Sequence, residues 1–327
     1  MADNILITGG SGKSIVCSSI RHLSSPSSGY LGGTLLARLG SADLPLYGKL
    51  YALVRTAEQA EAVKQYGAEP LTFDPYDEVS VLRNVTGKKI TIVYHLIDAA
   101  RADSQLYFLK ALAEVKRITE REVHFLHTSG AKIFSSHAGA PTDCELRDDD
   151  PELYNIQTSQ KAPLPLMQGA VNTNNQIMDK ATELGVRSYI FVPCIVYGKG
   201  EGFGNRISIQ TVAIVQAAKG VRQVYRTDTD RPSWPVCHVS DNTALYIELL
   251  RHILTGKNPD HGKNGYYLAS SGNVAWDDLY SAMAAALFGR GIIEDESVKT
   301  ADEAALKKMG EALGCPPQLV PVQLGGK

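Results

Sequence analysis

Five residues of apolar strand, Asn4-Ile5-Leu6-Ile7-Thr8, run straight into Gly9-Gly10-Ser11-Gly12. Glycines at the end of a strand permit a tight turn and let backbone amides approach a pyrophosphate at the N-terminus of the next helix. That helix does not follow at once. It opens at Gly29-Tyr30-Leu31-Gly32-Gly33, and Gly33 to Leu39 then carries apolar residues at helical spacing. Removing the 17 residues Lys13 to Gly29 would join Thr8-Gly9-Gly10-Ser11-Gly12 to Tyr30-Leu31-Gly32, a TGxxGxxG run that ends in a helix.

Beyond this start, strand-like and helix-like segments alternate: strands at Leu50 to Val54, Pro70 to Phe73, Ile90 to Ile97 and Val123 to His127, with helices at Ala57 to Tyr66 and Asp103 to Val115. The pattern predicts an α/β fold, a doubly wound parallel sheet with helices on both faces. Residues 131 to 166 are polar and broken by glycine and proline, which predicts a long surface excursion of the lid type. A helix from Val171 to Leu184 and a strand from Arg187 to Val192 complete the main domain, residues 1–193. Residues 194–327 are expected to form a smaller substrate-binding lobe, with helices near Ile207 to Lys219, Asn242 to Leu254 and Trp276 to Leu287 and a short strand at Tyr266-Tyr267-Leu268.

A formal charge of −2, with both signs mixed along the chain, offers no electrostatic attraction for nucleic acid or a membrane surface. With no leader pattern and no apolar run of ~18 residues, a cytoplasmic protein is expected. The five cysteines, at scattered spacings, predict free thiols and no metal site.

The joined TGxxGxxG motif resembles the cofactor loop of the extended short-chain dehydrogenase/reductases, the NAD-dependent epimerase/dehydratase branch. Other segments resemble that family in the same order: Tyr94-His95-Leu96-Ile97-Asp98-Ala99-Ala100, Val192-Pro193-Cys194-Ile195-Val196-Tyr197-Gly198, and Trp234-Pro235-Val236-Cys237-His238-Val239-Ser240-Asp241. The resemblance implies a Rossmann domain that holds a nicotinamide dinucleotide through Thr8, Gly9, Gly12, Tyr30, Leu31, Gly32, Leu96 and Pro193. It places Asp74 at the adenine, although a turn aspartate before Pro75 reads the same way. It also implies a homodimer through two helices of the main domain. Arg55 ends the second strand where Asp or Glu would meet a ribose 2′-hydroxyl, so NADP is favoured over NAD. The serine-rich segment 13–29 has neither helical nor strand period. Gly-Lys-Ser and Ser-Gly at its borders can encode splice-site sequences, so it reads as a translated intron or, alternatively, as a genuine surface insertion.

The family's proton transfer uses a tyrosine, a lysine four residues later and a serine or threonine. Ser129 fits the serine. The other two positions fall by analogy on Met167 and Val171, neither of which transfers a proton, and none of the tyrosines has a lysine four residues on. Tyr154 and Tyr197 are the candidate replacement acids, and His127 lies close by. Two readings follow: an NADP-dependent oxidoreductase, or less readily an epimerase or dehydratase, acting on a small carbonyl or hydroxyl substrate, and a non-catalytic NADP(H)-binding regulator similar to NmrA-like proteins.

Overall fold

The computed structural model describes residues 2–9, 29–228 and 230–327. Segment 10–28, which holds Gly12 and all but the last residue of the proposed insert, lies outside them. In chain order the elements are β1 (Asn4–Thr8), α1 (Tyr30–Leu39), β2 (Leu50–Leu53), α2 (Ala57–Lys64), β3 (Glu69–Leu71), α3 (Glu78–Gly87), β4 (Ile90–His95), α4 (Asp103–Thr119) and β5 (His124–Thr128). There follow α5 (Leu153–Ser159), α6 (Pro165–Leu184), β6 (Arg187–Pro193), β7 (Ile195–Tyr197), α7 (Ile209–Val221), β8 (Val224–Arg226), β9 (Ser233–His238) and α8 (Val239–Leu254). The remainder comprises β10 (Tyr266–Ala269), β11 (Gly272–Ala275), α9 (Trp276–Phe288), β12 (Val298–Thr300), α10 (Glu303–Leu313) and α11 (Val320–Leu324).

Seven parallel strands form the main sheet in the order β10-β6-β5-β4-β1-β2-β3. The strand order reverses between β1 and β4, and that switch point opens a crevice at the carboxyl ends of the strands. Because the sheet is covered on both faces, its central strands are buried on both sides, and β4 is buried at every position. One face packs Val81 and Val85 of α3, Phe108 and Leu109 of α4, and Ile177 and Met178 of α6. The other packs Leu35 and Leu36 of α1, Val63 of α2, and Tyr246 and Leu250 of α8.

Two expectations change. The strand around Tyr266 belongs to the large sheet, as its seventh member, with Tyr266 opposite Ile190. Together with α8 it brings chain from beyond residue 193 back to the main domain, so residues 194–327 divide between two bodies. The smaller lobe is the core around Trp234, Trp276, Tyr280 and Met309. The excursion after β5 is not a free lid either. Gln160 Nε2 donates to the carbonyls of Ile133 (2.9 Å) and Ala138 (3.0 Å), and Tyr266 donates its hydroxyl to buried Gln157 Oε1 (2.9 Å). These buried amides are fixed by specific partners, which ties the segment to the body. Among the described residues no helix is long and apolar enough to cross a membrane, and no side-chain cluster is suited to a metal ion.

Candidate cofactor groove and active site

The groove begins where β1 ends. Gly9 has φ +104°, and a Cβ there would lie 2.8 Å from Leu96 Cβ and from the Leu96 carbonyl oxygen. Only glycine suits both the conformation and the space. At Gly32 an added Cβ would lie 2.6 Å from the Gly9 carbonyl oxygen. The first turn of α1 thus rests directly on the end of β1, as a dinucleotide cradle requires. Gly29 stands before Tyr30 as the extended N-cap, and its carbonyl accepts from Gly33 N–H (2.8 Å). Thr8 is fully buried: its Oγ1 donates to the Tyr94 carbonyl (3.3 Å) and accepts from Leu96 N–H (3.2 Å). Its work is therefore to hold β4 against β1 under the turn.

Two cavities meet at Gly9 and Ile97. The one over β2 and β3 is bounded by Arg55, Phe73, Asp74, Tyr76 and Phe203. Arg55 is exposed, and among the described residues no carboxylate pairs with its guanidinium. Its backbone N–H donates to Gln59 Oε1 (2.9 Å). Asp74 caps its own turn, accepting from Tyr76 N–H (2.9 Å), while remaining at the cavity wall. Phe203 reaches this wall from a segment crossing α1, where an added Cβ at Gly202 would lie 2.5 Å from Gly33 Cα. It stacks on Tyr66 with ring centroids 6.2 Å apart. No motif in the sequence points to Phe203.

The second cavity, about 250 Å³, lies over β4, β5 and β6 and extends under the small lobe. Tyr30, Leu31, Gly32, Leu96 and Pro193 are among the residues that line it. Ser129 reaches it because Ser129 N–H bonds to the Phe191 carbonyl (2.8 Å) and continues β5 regularly past its last strand residue. Ser129 Oγ donates to Asn174 Oδ1 of α6 (3.0 Å), leaving the buried Asn174 Nδ2 without a partner among the described residues. Half a turn of that amide would present Nδ2 to Ser129 Oγ and free the serine proton for a ligand oxygen. Met167 and Val171 are fully buried beside Ile133 and Val322, so an apolar cluster fills the place of the tyrosine and lysine.

The candidate acids do not enter the cavity. Tyr197 is 46% exposed and meets His238 edge-on. Tyr154 donates to Asp179 Oδ1 (3.2 Å) on the outer side of α6, and burial raises its pKa. His127 faces the α4 side of the sheet, its ring 6.0 Å from that of His95, and burial pushes its pKa down to about 3. His127 is not among the residues that line the cavity. What the sequence reading missed is Lys132, one 3-10 turn after Ser129, which lines the same cavity with Trp234.

Solved structures share this architecture. The UDP-glucose 4-epimerase of Thermus thermophilus in complex with NAD is 15% identical, with 98% of this chain and 97% of that one covered and a TM-score of 0.55. The dTDP-glucose 4,6-dehydratase of Bacillus anthracis in complex with NAD is 11% identical (99% and 94% covered, TM-score 0.56). The PbgP3 protein of Burkholderia pseudomallei is 12% identical (99% and 98% covered, TM-score 0.60). The chain has the fold of these structures. No protein-family model and no curated protein matches its sequence. Within this fold the groove at Gly9 and Gly32 sits at the switch point where a ligand is expected, and fold alone chooses no reaction.

Proposed function

We propose that the protein is an NADP(H)-dependent oxidoreductase that acts on a small, largely apolar carbonyl or alcohol. The observation that carries this reading is the continuity of the groove: one cavity presents an unpaired Arg55, the other presents Ser129, and the glycine cradle lies where they meet. The groove fits a dinucleotide. Gly9 and Gly32 leave the room that a Cβ would fill, the N-terminal amides of α1 face a pyrophosphate, and Arg55 offers its fork to a 2′-phosphate. When bound, the reduced nicotinamide supplies a hydride to the substrate carbon. Ser129, steadied by Asn174, donates to the substrate oxygen, and Ala131, Ile209 and Val322 keep water from the substrate side. Those walls suit an apolar ligand better than a sugar. The buried polar side chains in the second cavity, which a regulator would not need, favour the enzyme over the NmrA-like alternative.

The test compares the full chain with a version lacking Lys13 to Gly29, in which Gly12 would precede Tyr30 as Gly29 does now. Both are titrated with NADPH and NADH, then assayed for NADPH oxidation against aromatic aldehydes and alicyclic ketones. Tighter binding of NADPH than NADH, with turnover of at least one carbonyl, is expected. Tight NADPH binding with no turnover moves the reading to the regulator, and failure of both versions to bind either dinucleotide removes it.

A further inference from the structure

Lys132 lies in the 3-10 turn Ala131–Phe134, three residues after Ser129, and lines the cavity that Ser129 lines. Its amine is boxed rather than ion-paired. Nζ stands 4.2 Å from the ring centroid of Trp234 and 4.9 Å from that of Trp276, and it donates to the Gly325 carbonyl. Among the described residues no carboxylate forms a salt bridge with it. Asp228 is the carboxylate that acts on it through space, and Asp228 Oδ2 already accepts from Gly326 N–H (3.2 Å). The other titratable neighbours are His137, whose own pKa is lowered by burial and then by Lys132, and Tyr280, which donates to the Leu324 carbonyl. Asp98 belongs to the same cavity wall and is engaged by Ala100 N–H (2.8 Å) and the Tyr76 hydroxyl (3.2 Å). Burial brings the Lys132 amine down to about 7. A buried amine without a salt-bridged carboxylate is costly to keep and is more typical of a working group than of a structural one.

We infer that Lys132 is the proton donor of the reaction, replacing the tyrosine and lysine that α6 lacks; this rests on the oxidoreductase reading above. In the reductive direction the carbonyl carbon gains hydrogen and two electrons from the reduced dinucleotide, which is oxidised. The C=O π bond opens, and its oxygen takes a proton as an N–H bond at Nζ breaks. The neutral amine left behind regains that proton from solvent, so atoms and charge balance over the cycle. An acid with a pKa near the working pH serves both halves of this exchange. Ser129 orients the oxygen and Lys132 protonates it, a division of labour that needs no tyrosine.

The test uses Lys132→Met, which keeps an apolar stem against the two indoles, and Lys132→Ala, which opens room for an added amine. Trp234 and Trp276 are the only tryptophans of the chain, so intrinsic fluorescence reports the integrity of the box directly. With 4-nitrobenzaldehyde and the other carbonyls as probes, Lys132→Met is expected to lose about 100-fold or more in kcat/KM while NADPH affinity and indole emission stay near wild type. The decline of kcat/KM above about pH 7 should disappear with it, and ethylamine should restore turnover to Lys132→Ala. Activity of Lys132→Met within tenfold of wild type overturns the assignment and leaves the oxidoreductase reading standing. A loss that comes with lost NADPH affinity and altered emission, or no rescue by amines, also overturns it, since the lysine would then be structural. A wild-type protein that oxidises NADPH with no carbonyl overturns both readings together.

Discussion

A guanidinium with no carboxylate beside it, at the end of the second strand, is free to take a phosphate. Arg55 is in that position, and a charge-assisted contact to a 2′-phosphate contributes about 1.5–3 kcal/mol. Arg55→Ala should therefore weaken NADPH by about 10- to 100-fold and leave NADH within about twofold, as read by nucleotide fluorescence titration. Equal loss for both nucleotides would mean that the arginine supports the fold instead. Ser129 and Asn174 form the second residue-scale pair. Ser129→Ala and Asn174→Leu should each lower kcat by about 10- to 100-fold with NADPH affinity kept. The double variant should lose little more than either single one, because the two act through one hydrogen bond. Strict additivity in the cycle would separate them.

At the scale of elements, the contact between β1 and α1 carries the cofactor claim. Gly9→Ala meets both a positive φ and the Leu96 backbone, and Gly32→Ala meets the Gly9 carbonyl. Each should cost about 1–3 kcal/mol in stability and remove NADPH binding, whereas Gly40→Ala, with no atom within 4 Å of its added Cβ, should change neither. Thermal melting with and without NADPH checks all three. The glycine pattern was legible in the sequence because backbone geometry demands that one residue type, and the alternation of β1 to β6 was legible because hydrophobic period follows pleat and helix. Legibility ended where partners are distant in sequence. Tyr266-Tyr267-Leu268 looks like an isolated strand until Ile190 is placed beside it. The stretch 131–166 reads as polar because Gln157 and Gln160 are, yet both are buried, with Gln157 Oε1 and Gln160 Nε2 bonded inside. Lys132 carried a faint signal, its three-residue spacing from Ser129, but the two indoles that box its amine come from positions 234 and 276. Tyr154 and Tyr197 were candidates on chemistry alone, and tertiary placement turns both outward.

Over the whole molecule, the same burial that makes the central sheet stable makes it sensitive to acid. His95 of β4 and His124 and His127 of β5 are buried, and desolvation is the leading cause that holds each below the usual imidazole range, with His124 at about 4 and His127 at about 3. The unfolded chain binds a proton at each below about pH 6.5, while the folded protein does not until its own lower pKa is reached. Between those limits the unfolded state holds more protons, so stability falls as pH falls, by about 1.4 kcal/mol per unit for each such histidine. Lys132 follows the same sign at the other end of the scale. Its folded pKa of about 7 lies below the unfolded 10.5, so stability rises with pH across that interval. The melting temperature is accordingly expected to climb from pH 4.5 to 6.5 and to keep climbing between pH 7 and 9. His127→Leu should flatten the acid limb by close to one proton, and Lys132→Met should flatten the alkaline rise. A melting temperature that is level from pH 4.5 to 6.5 in the wild-type protein would mean that the sheet admits protons to its histidines without unfolding, and the neutral core described here would have to be abandoned.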